Sequence, residues 1–358
     1  MPTHPSSYHS PAAAAGACLL SVFVAVVWCA PTAAEQETPR RVRRRVAPAG
    51  VNPGGYEFLQ IAELTGFSGP VYSLAWSPNG AVLASAGYGM VMLWNPATGE
   101  DATALRGHQD FVWGVAWSPD GELLASASAD GTVKLWSASS HNEVASLTTG
   151  SVMCVAWSPD GDRLAVGSAG GGVQIWDVSS RTMIHRLSEY WVVSAGWSGD
   201  GHTLAVGGLD GSITLWNPDS ATLLDEFEPS VSAMDTNGLA WSPDDSLLAT
   251  AHQDGSVWVW DAGTGEPLRT LESHGGWARG VAFSPDGRLL ATTGESATTT
   301  VWSTETWESL GHYRLPPLPL WSVSWSPDGR YFAVGSGRYN GFSGGVVYLW
   351  EVIGGPPA

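Results

Sequence analysis

Apolar and polar positions along the chain alternate in short runs and do not follow a helical period. Between Val115 and Trp136 the sequence reads VAWSPDGELLASASADGTVKLW. VAW ends an apolar strand. In SPDG, Ser, Pro and Gly hold the first, second and fourth positions of a type I turn, where those residues fit best. ELLASAS alternates, as a strand with one buried face does. Asp130-Gly131 predicts a tight hairpin, because both central residues of such a turn need positive φ. TVKLW closes the unit with β-branched residues and an aromatic. Three strands and two turns make a meander, and one meander cannot bury its own faces.

The unit recurs seven times. Its first-strand landmark falls at Trp76, Trp117, Trp157, Trp197, Trp241, Phe283 and Trp325, at intervals of 41, 40, 40, 44, 42 and 42 residues. SPDG or a near variant follows six of these, and SGDG follows the fourth. A second landmark ends the third strand at Trp94, Trp136, Trp176, Trp216, Trp260, Trp302 and Trp350. A period near 40 residues with four strands per period predicts an all-β fold, a seven-bladed β-propeller of four-stranded blades. The SPDG turns, the Asp-Gly turns at Asp130, Asp210 and Asp254, the strand-ending tryptophans and the Gly107-His108 pair together resemble the WD-repeat (WD40) family. The resemblance implies a blade-stabilising hydrogen-bond network among His108, Ser126 or Ser128, Asp130 and Trp136. The fifth repeat has Asp254 and Trp260 without a matching His.

The flanks divide the chain further. Residues 56–352 form the propeller and 353–358 a tail. EFLQIAELTGF resembles a fourth strand and its exit loop, and little chain follows Trp350. Residues 57–63 are therefore expected to complete the last blade, which removes an open sheet edge. Ala12 to Ala30 is a 19-residue run without a charge. Residues 1–34 thus predict a signal peptide, with small residues at Thr32 and Ala34 suited to cleavage, or an uncleaved membrane anchor. In the second case the arginines at 40–45 would hold the propeller on the cytoplasmic side. The expected localisation is export or anchoring through residues 12–30. Residues 35–55 read as a linker.

Composition narrows the function. The formal net charge is −18, and from residue 51 onward 32 acidic residues face 11 basic ones. Such a surface repels phosphate backbones, and no basic stripe is present for nucleic acid. Much of the acid sits in the repeated turns. Three Cys suggest no disulfide framework, and nine His are scattered without metal-ligand spacing, so no metal or cofactor is expected. No H-E-x-x-H or P-loop occurs.

Of 20 Trp, 13 are landmarks. Of the other seven, Trp113, Trp191, Trp277 and Trp321 fall just before first strands. Counting back four residues from each first landmark gives Tyr72, Trp113, Met153, Val193, Asn237, Arg279 and Trp321; counting back six gives Phe111, Trp191 and Trp277 among others. By family resemblance these positions lie near the top-face mouth of the central channel. Three longer links, one carrying Arg338, Tyr339 and Phe342, would decorate the same face. Trp, Tyr and Arg are preferred interface anchors, although the same residues could simply pack between blades. The expected function is a non-catalytic, monomeric scaffold that binds a protein or peptide, basic by charge complementarity, through Tyr72, Phe111, Trp113, Trp191, Trp277, Arg279, Trp321, Arg338, Tyr339 and Phe342. The alternative is an envelope enzyme, or an enzyme-associated propeller, acting at the central channel.

Overall fold

The computed structural model describes residues 40–42, 52, 54–98, 102–188, 191–227, 235–272, 274–338 and 344–355, all within the compact unit Glu37–Ala358. The segment read as a signal peptide or anchor lies outside them. The described residues are all β and turn, and no helix among them is long and apolar enough to cross a membrane. The third repeat is typical: Val152–Trp157, Arg163–Ser168, Gly172–Asp177 and Thr182–Arg186 form one antiparallel sheet in sequence order. The fourth, fifth and sixth repeats repeat this order. Thr103–Trp117 runs without a break from the fourth strand of the first repeat into the first strand of the second, which fuses their sheets.

The last sheet takes its outer strand from the other end of the chain. Tyr56–Thr65 pairs antiparallel with Val347–Gly354. That strand extends two residues into the segment read as a tail. Within the segment read as a linker, Arg40–Val42 adds a further antiparallel strand, with Val42 opposite Glu63. First strands of successive repeats touch one another, and Leu320–Trp325 touches Ser73–Trp76.

Each sheet buries its faces against its neighbours. Val133 and Leu135 of the second repeat, for example, pack with Val152, Trp157 and Leu164 of the third. The first landmark tryptophans join these layers at a fixed position. The Trp117 indole Nε1–H donates to Ala75 O (3.2 Å), Trp157 to Ala116 O (3.0 Å), Trp197 to Ala156 O (3.2 Å), Trp241 to Gly196 O (2.9 Å) and Trp325 to Ala282 O (3.1 Å). Trp76 donates to Ser324 O at 3.2 Å, across 248 residues. In each case the acceptor is the residue just before the preceding repeat's landmark. Phe283 has no N–H to offer.

The SPDG turns form a second inter-repeat contact. Inside each turn the Ser hydroxyl donates to the side-chain oxygen two residues on, Asn79 in the first turn and Asp in the others, and accepts a backbone N–H, as in Ser118 to Asp120 (2.5 Å) and Leu123 N to Ser118 (2.9 Å). Between turns, glycine lies against proline: a Cβ at Gly121 would stand 3.4 Å from the Pro78 ring, and Gly161, Gly201, Gly287, Gly329 and Gly80 face Pro119, Pro159, Pro243, Pro285 and Pro327 in the same way. The fourth turn has Gly199 in place of Pro, and the turn that faces it has Asp245 in place of Gly. The freed Gly199 N–H donates to Asp245 Oδ1 (2.6 Å) and Asp200 N–H to Oδ2 (3.1 Å), while Asp245 holds a left-handed φ of 59°. The two departures compensate each other.

The expected polar network is present and uses Ser126. His108 Nδ1 lies 2.8 Å from Asp130 Oδ2, His108 Nε2 lies 2.8 Å from Ser126 Oγ, and the Trp136 Nε1–H donates to the same hydroxyl at 2.8 Å. Burial works to raise the Asp130 pKa, but bonds from the Thr132 hydroxyl, the Gln109 N–H and His108 outweigh it and hold the carboxyl at about 2. Two further imidazoles correct the expectation of a single network. His274 Nδ1 meets Thr298 Oγ1 (2.8 Å) and its Nε2 meets Thr292 Oγ1 (3.2 Å), which also accepts from Trp302. In the fifth repeat, His252 reaches Thr250 Oγ1 (2.8 Å) from within the same strand, and Trp260 donates to that oxygen. Neither His precedes a first strand as Gly-His, so the motif concealed both. Burial pushes both imidazoles down to about 4, with the neighbouring His312 adding to the effect on His274 and Asp254 opposing it on His252.

Two outcomes follow. Asp245→Gly and Gly199→Pro should each destabilise alone, while the double variant recovers; urea unfolding of all four proteins should give a coupling near 1 kcal/mol. Neutral His252 and His274 contribute stability that is fully present above the unfolded imidazole pKa of 6.5 and is lost as pH falls toward about 4. Each shift is worth on the order of 3 kcal/mol. The urea midpoint should therefore fall between pH 7 and pH 4.5 (roughly that window), and less steeply in His252→Gln.

Candidate functional site: the aromatic mouth of a central channel

The seven positions four residues before the first landmarks converge. Tyr72, Trp113, Met153, Val193, Asn237, Arg279 and Trp321 all line one channel of about 220 Å³. Strand register explains why. In six repeats the pairing of first and second strands shifts by one residue: between Val112 and Gly114, Val152 and Cys154, Val192 and Ser194, Thr236 and Gly238, Ala278 and Gly280, and Leu320 and Ser322. The residue skipped is the one named above. A bulge leaves its extra residue outside the ladder and re-aims its side chain. In the first repeat Tyr72 stands just before Ser73–Trp76, its N–H bonded to Ala86 O at 3.0 Å.

The lining is divided by chemistry. Three consecutive repeats contribute aromatics. Tyr72 sits between Trp113 and Trp321, with ring centroids 4.4 and 5.2 Å away, and Phe111 packs 5.7 Å from Tyr72 and 5.6 Å from Trp113. Tyr88 extends the group at 5.2 Å from Phe111. The third and fourth repeats contribute Met153 and Val193, and the fifth and sixth Asn237 and Arg279. Arg279 is the one charged residue of the lining. Its guanidinium lies 4.3 Å from the Trp277 ring centre and 4.5 Å from that of Trp321, two cation–π contacts. Glu295 accepts its Nε–H (3.2 Å) and Nη2–H (2.5 Å), and Asn237 Oδ1 lies 3.4 Å from Nη1. Glu295 is itself placed by its N–H, which donates to Trp277 O at 2.9 Å. Burial raises the Asp235 carboxyl, opposed by Arg279 and aided by Asp210.

Tyr72, Phe111, Trp113, Trp277, Arg279 and Trp321 thus form one connected group. Trp191 does not line the channel; its indole nitrogen stands 3.9 Å from where a Cβ on Gly170 would be. Arg338 is exposed and likewise outside the lining, and Tyr339 and Phe342 lie outside the described residues. Sequence reasoning missed Glu295 and Tyr88. Glu295 had a signal: it holds a hairpin position where other repeats carry Ala129, Leu209 and Gln253. Trp321 has a structural bond as well, its Nε1–H donating to Gly337 O at 2.8 Å.

The string GFSGG at 341–345 spells G-x-S-x-G, yet a strand, Val347–Gly354, follows it, and that motif owes its chemistry to a strand–turn–helix setting. Among the described residues no group of His, Cys, Asp and Glu is placed to hold a metal ion.

Two family profiles match the chain. That of the IFT122 first beta-propeller covers residues 70–235, and that of the WD domain, G-beta repeat, covers 226–261, 265–303 and 307–351. No curated protein matches significantly. Propellers of this kind generally act as protein-interaction scaffolds. With the repeats, the sheets and both profiles in agreement from residue 70 to 351, the chain belongs to the WD-repeat (WD40) β-propeller family.

Proposed function

We propose that the chain is a seven-bladed ring, closed by Tyr56–Thr65 on the last blade, that serves as a non-catalytic, monomeric scaffold and docks a protein or peptide at the aromatic mouth of its channel. The observation that carries this reading is the connected group of Phe111, Tyr72, Trp113, Trp321, Arg279 and Trp277. Four of its members stand at the channel-lining positions, where strand pairing does not dictate the side chain. Rigid aromatics and a pre-stacked Arg give contact area at little entropic cost. A preference for basic partner segments, suggested by the overall charge, cannot come from the lining, whose one charge is Arg279. We propose further that residues 12–30 export or anchor the protein; the mass of the N-terminus of the mature chain distinguishes cleavage after Ala34 from an intact anchor.

Affinity capture with the tagged full chain tests the docking site. Trp113 is the better target than Trp321, because truncating Trp321 also strips a partner from Gly337 O. Trp113→Ala should reduce capture of specific polypeptides roughly ten-fold, while the lost ring contacts, worth about 0.5–1.5 kcal/mol each, lower the melting temperature by a few degrees. If unfolding and capture fail together, or capture is unchanged, the aromatic group is packing and the reading falls.

A further inference from the structure

Away from the channel, a groove of about 320 Å³ lies between the sheets of the third and fourth repeats. Asp160, Asp162 and Asp177 line one side with Ile184, and Pro218 and Asp219 form the other. Arg163 is the single Lys or Arg within it. The Arg163 guanidinium stacks 5.0 Å from the Trp197 ring centre, bonds Asp219 Oδ1 at 2.5 Å and lies 3.7 Å from Asp160 Oδ2. The groove therefore already holds one guanidinium, and its carboxylates exceed what that guanidinium neutralises. Hydrogen bonds from Ser180 keep Asp177 below the usual carboxylate range, so it stays ionised.

The outer strand that lines the groove, and the outer strand of the next sheet, both expose apolar side chains. In Thr182–Arg186, Met183 and Ile184 are 44% and 45% exposed, and in Thr222–Phe227, Leu223 and Leu224 are 48% and 52% exposed. Both are the outermost strands of their sheets. Exposed apolar edge strands offer unpaired backbone groups to an added strand. The last sheet shows such an addition within this chain: its outer strand is covered by Arg40-Arg41-Val42, a basic and apolar sequence, paired antiparallel.

We propose that this groove docks an extended partner segment that alternates basic and apolar side chains. Its backbone adds to the edge of Thr182–Arg186, and because side chains of a strand alternate between faces, its cations enter the groove beside Ile184 and meet Asp162 and Asp177 while its apolar residues lie on the opposite face with Met183. Charge complementarity selects this occupant: four carboxylates against one guanidinium repel an acidic segment and leave a neutral one without its ionic contacts.

The test is fluorescence anisotropy of a labelled Arg-Val-Arg-Val-Arg-Val peptide titrated with the full chain, alongside a Glu-Val repeat. Wild type should bind the arginine peptide saturably, more weakly at high salt, and not bind the glutamate peptide. Asp162→Lys and Ile184→Lys, both on the surface and checked for unchanged melting, should each weaken binding roughly ten-fold. Glu305→Lys, exposed on a turn of the sixth repeat, should leave it within about two-fold. Absence of saturable binding, equal weakening by Glu305→Lys, or wild-type affinity in both groove variants would each overturn the proposal. None of these variants touches the channel mouth, so the outcome is independent of the docking site proposed there.

Discussion

An indole N–H reaching one carbonyl in the preceding sheet is the contact on which the architecture turns. A four-stranded meander has two faces to bury and no means of burying them alone, so its free energy resides between repeats. Hydrophobic contact is non-directional and would tolerate sliding of one sheet on the next. The Trp-to-carbonyl bond does not. Each fixes the height of a repeat to within one residue of its neighbour, and Trp76 applies the same rule between the first repeat and the last. Phe283 supplies the hydrophobic half of this contact without the directional half.

With height fixed, function can be carried by a single irregularity. The bulge recurs at one position in the first strands, and fixed height turns seven separated residues into one lining. The fold sets the positions and leaves the residue types open. Three consecutive repeats spend them on aromatics, two on aliphatics and two on Asn237 and Arg279. The division around the channel breaks the pseudo-symmetry of the scaffold and gives it a direction.

The period made most of this legible in advance. Landmark tryptophans and turn glycines announce strands because their chemistry is local: a turn needs its φ values wherever it occurs. The channel positions were legible through the same period, since counting back four residues lands on the bulge in six copies and on Tyr72, just before the strand, in the first. Trp191 misled because the position two residues further back is not uniform: Phe111 and Trp277 there join the aromatic group, whereas Trp191 stands beside Gly170. His252 and His274 were hidden for another reason. A hydroxyl held by a Trp can receive an imidazole from more than one direction, so hydrogen-bond chemistry is kept while the sequence position is not. Glu295 is an orienting partner, and partners of that kind have no motif.

The pairing of Tyr56–Thr65 with Val347–Gly354 also sets a clock. About 280 residues separate the two strands, and at a synthesis rate of roughly 5–20 residues per second the first waits some 15–60 s for the second. Throughout that interval Tyr56–Thr65 has only Arg40–Val42 beside it, and its other edge stays open. Val347–Gly354 leaves the ribosome long after the strand that needs it. A stop a few residues short of Val347 would leave Tyr56–Thr65 with one edge open and Tyr331–Ser336 without its neighbour on that side.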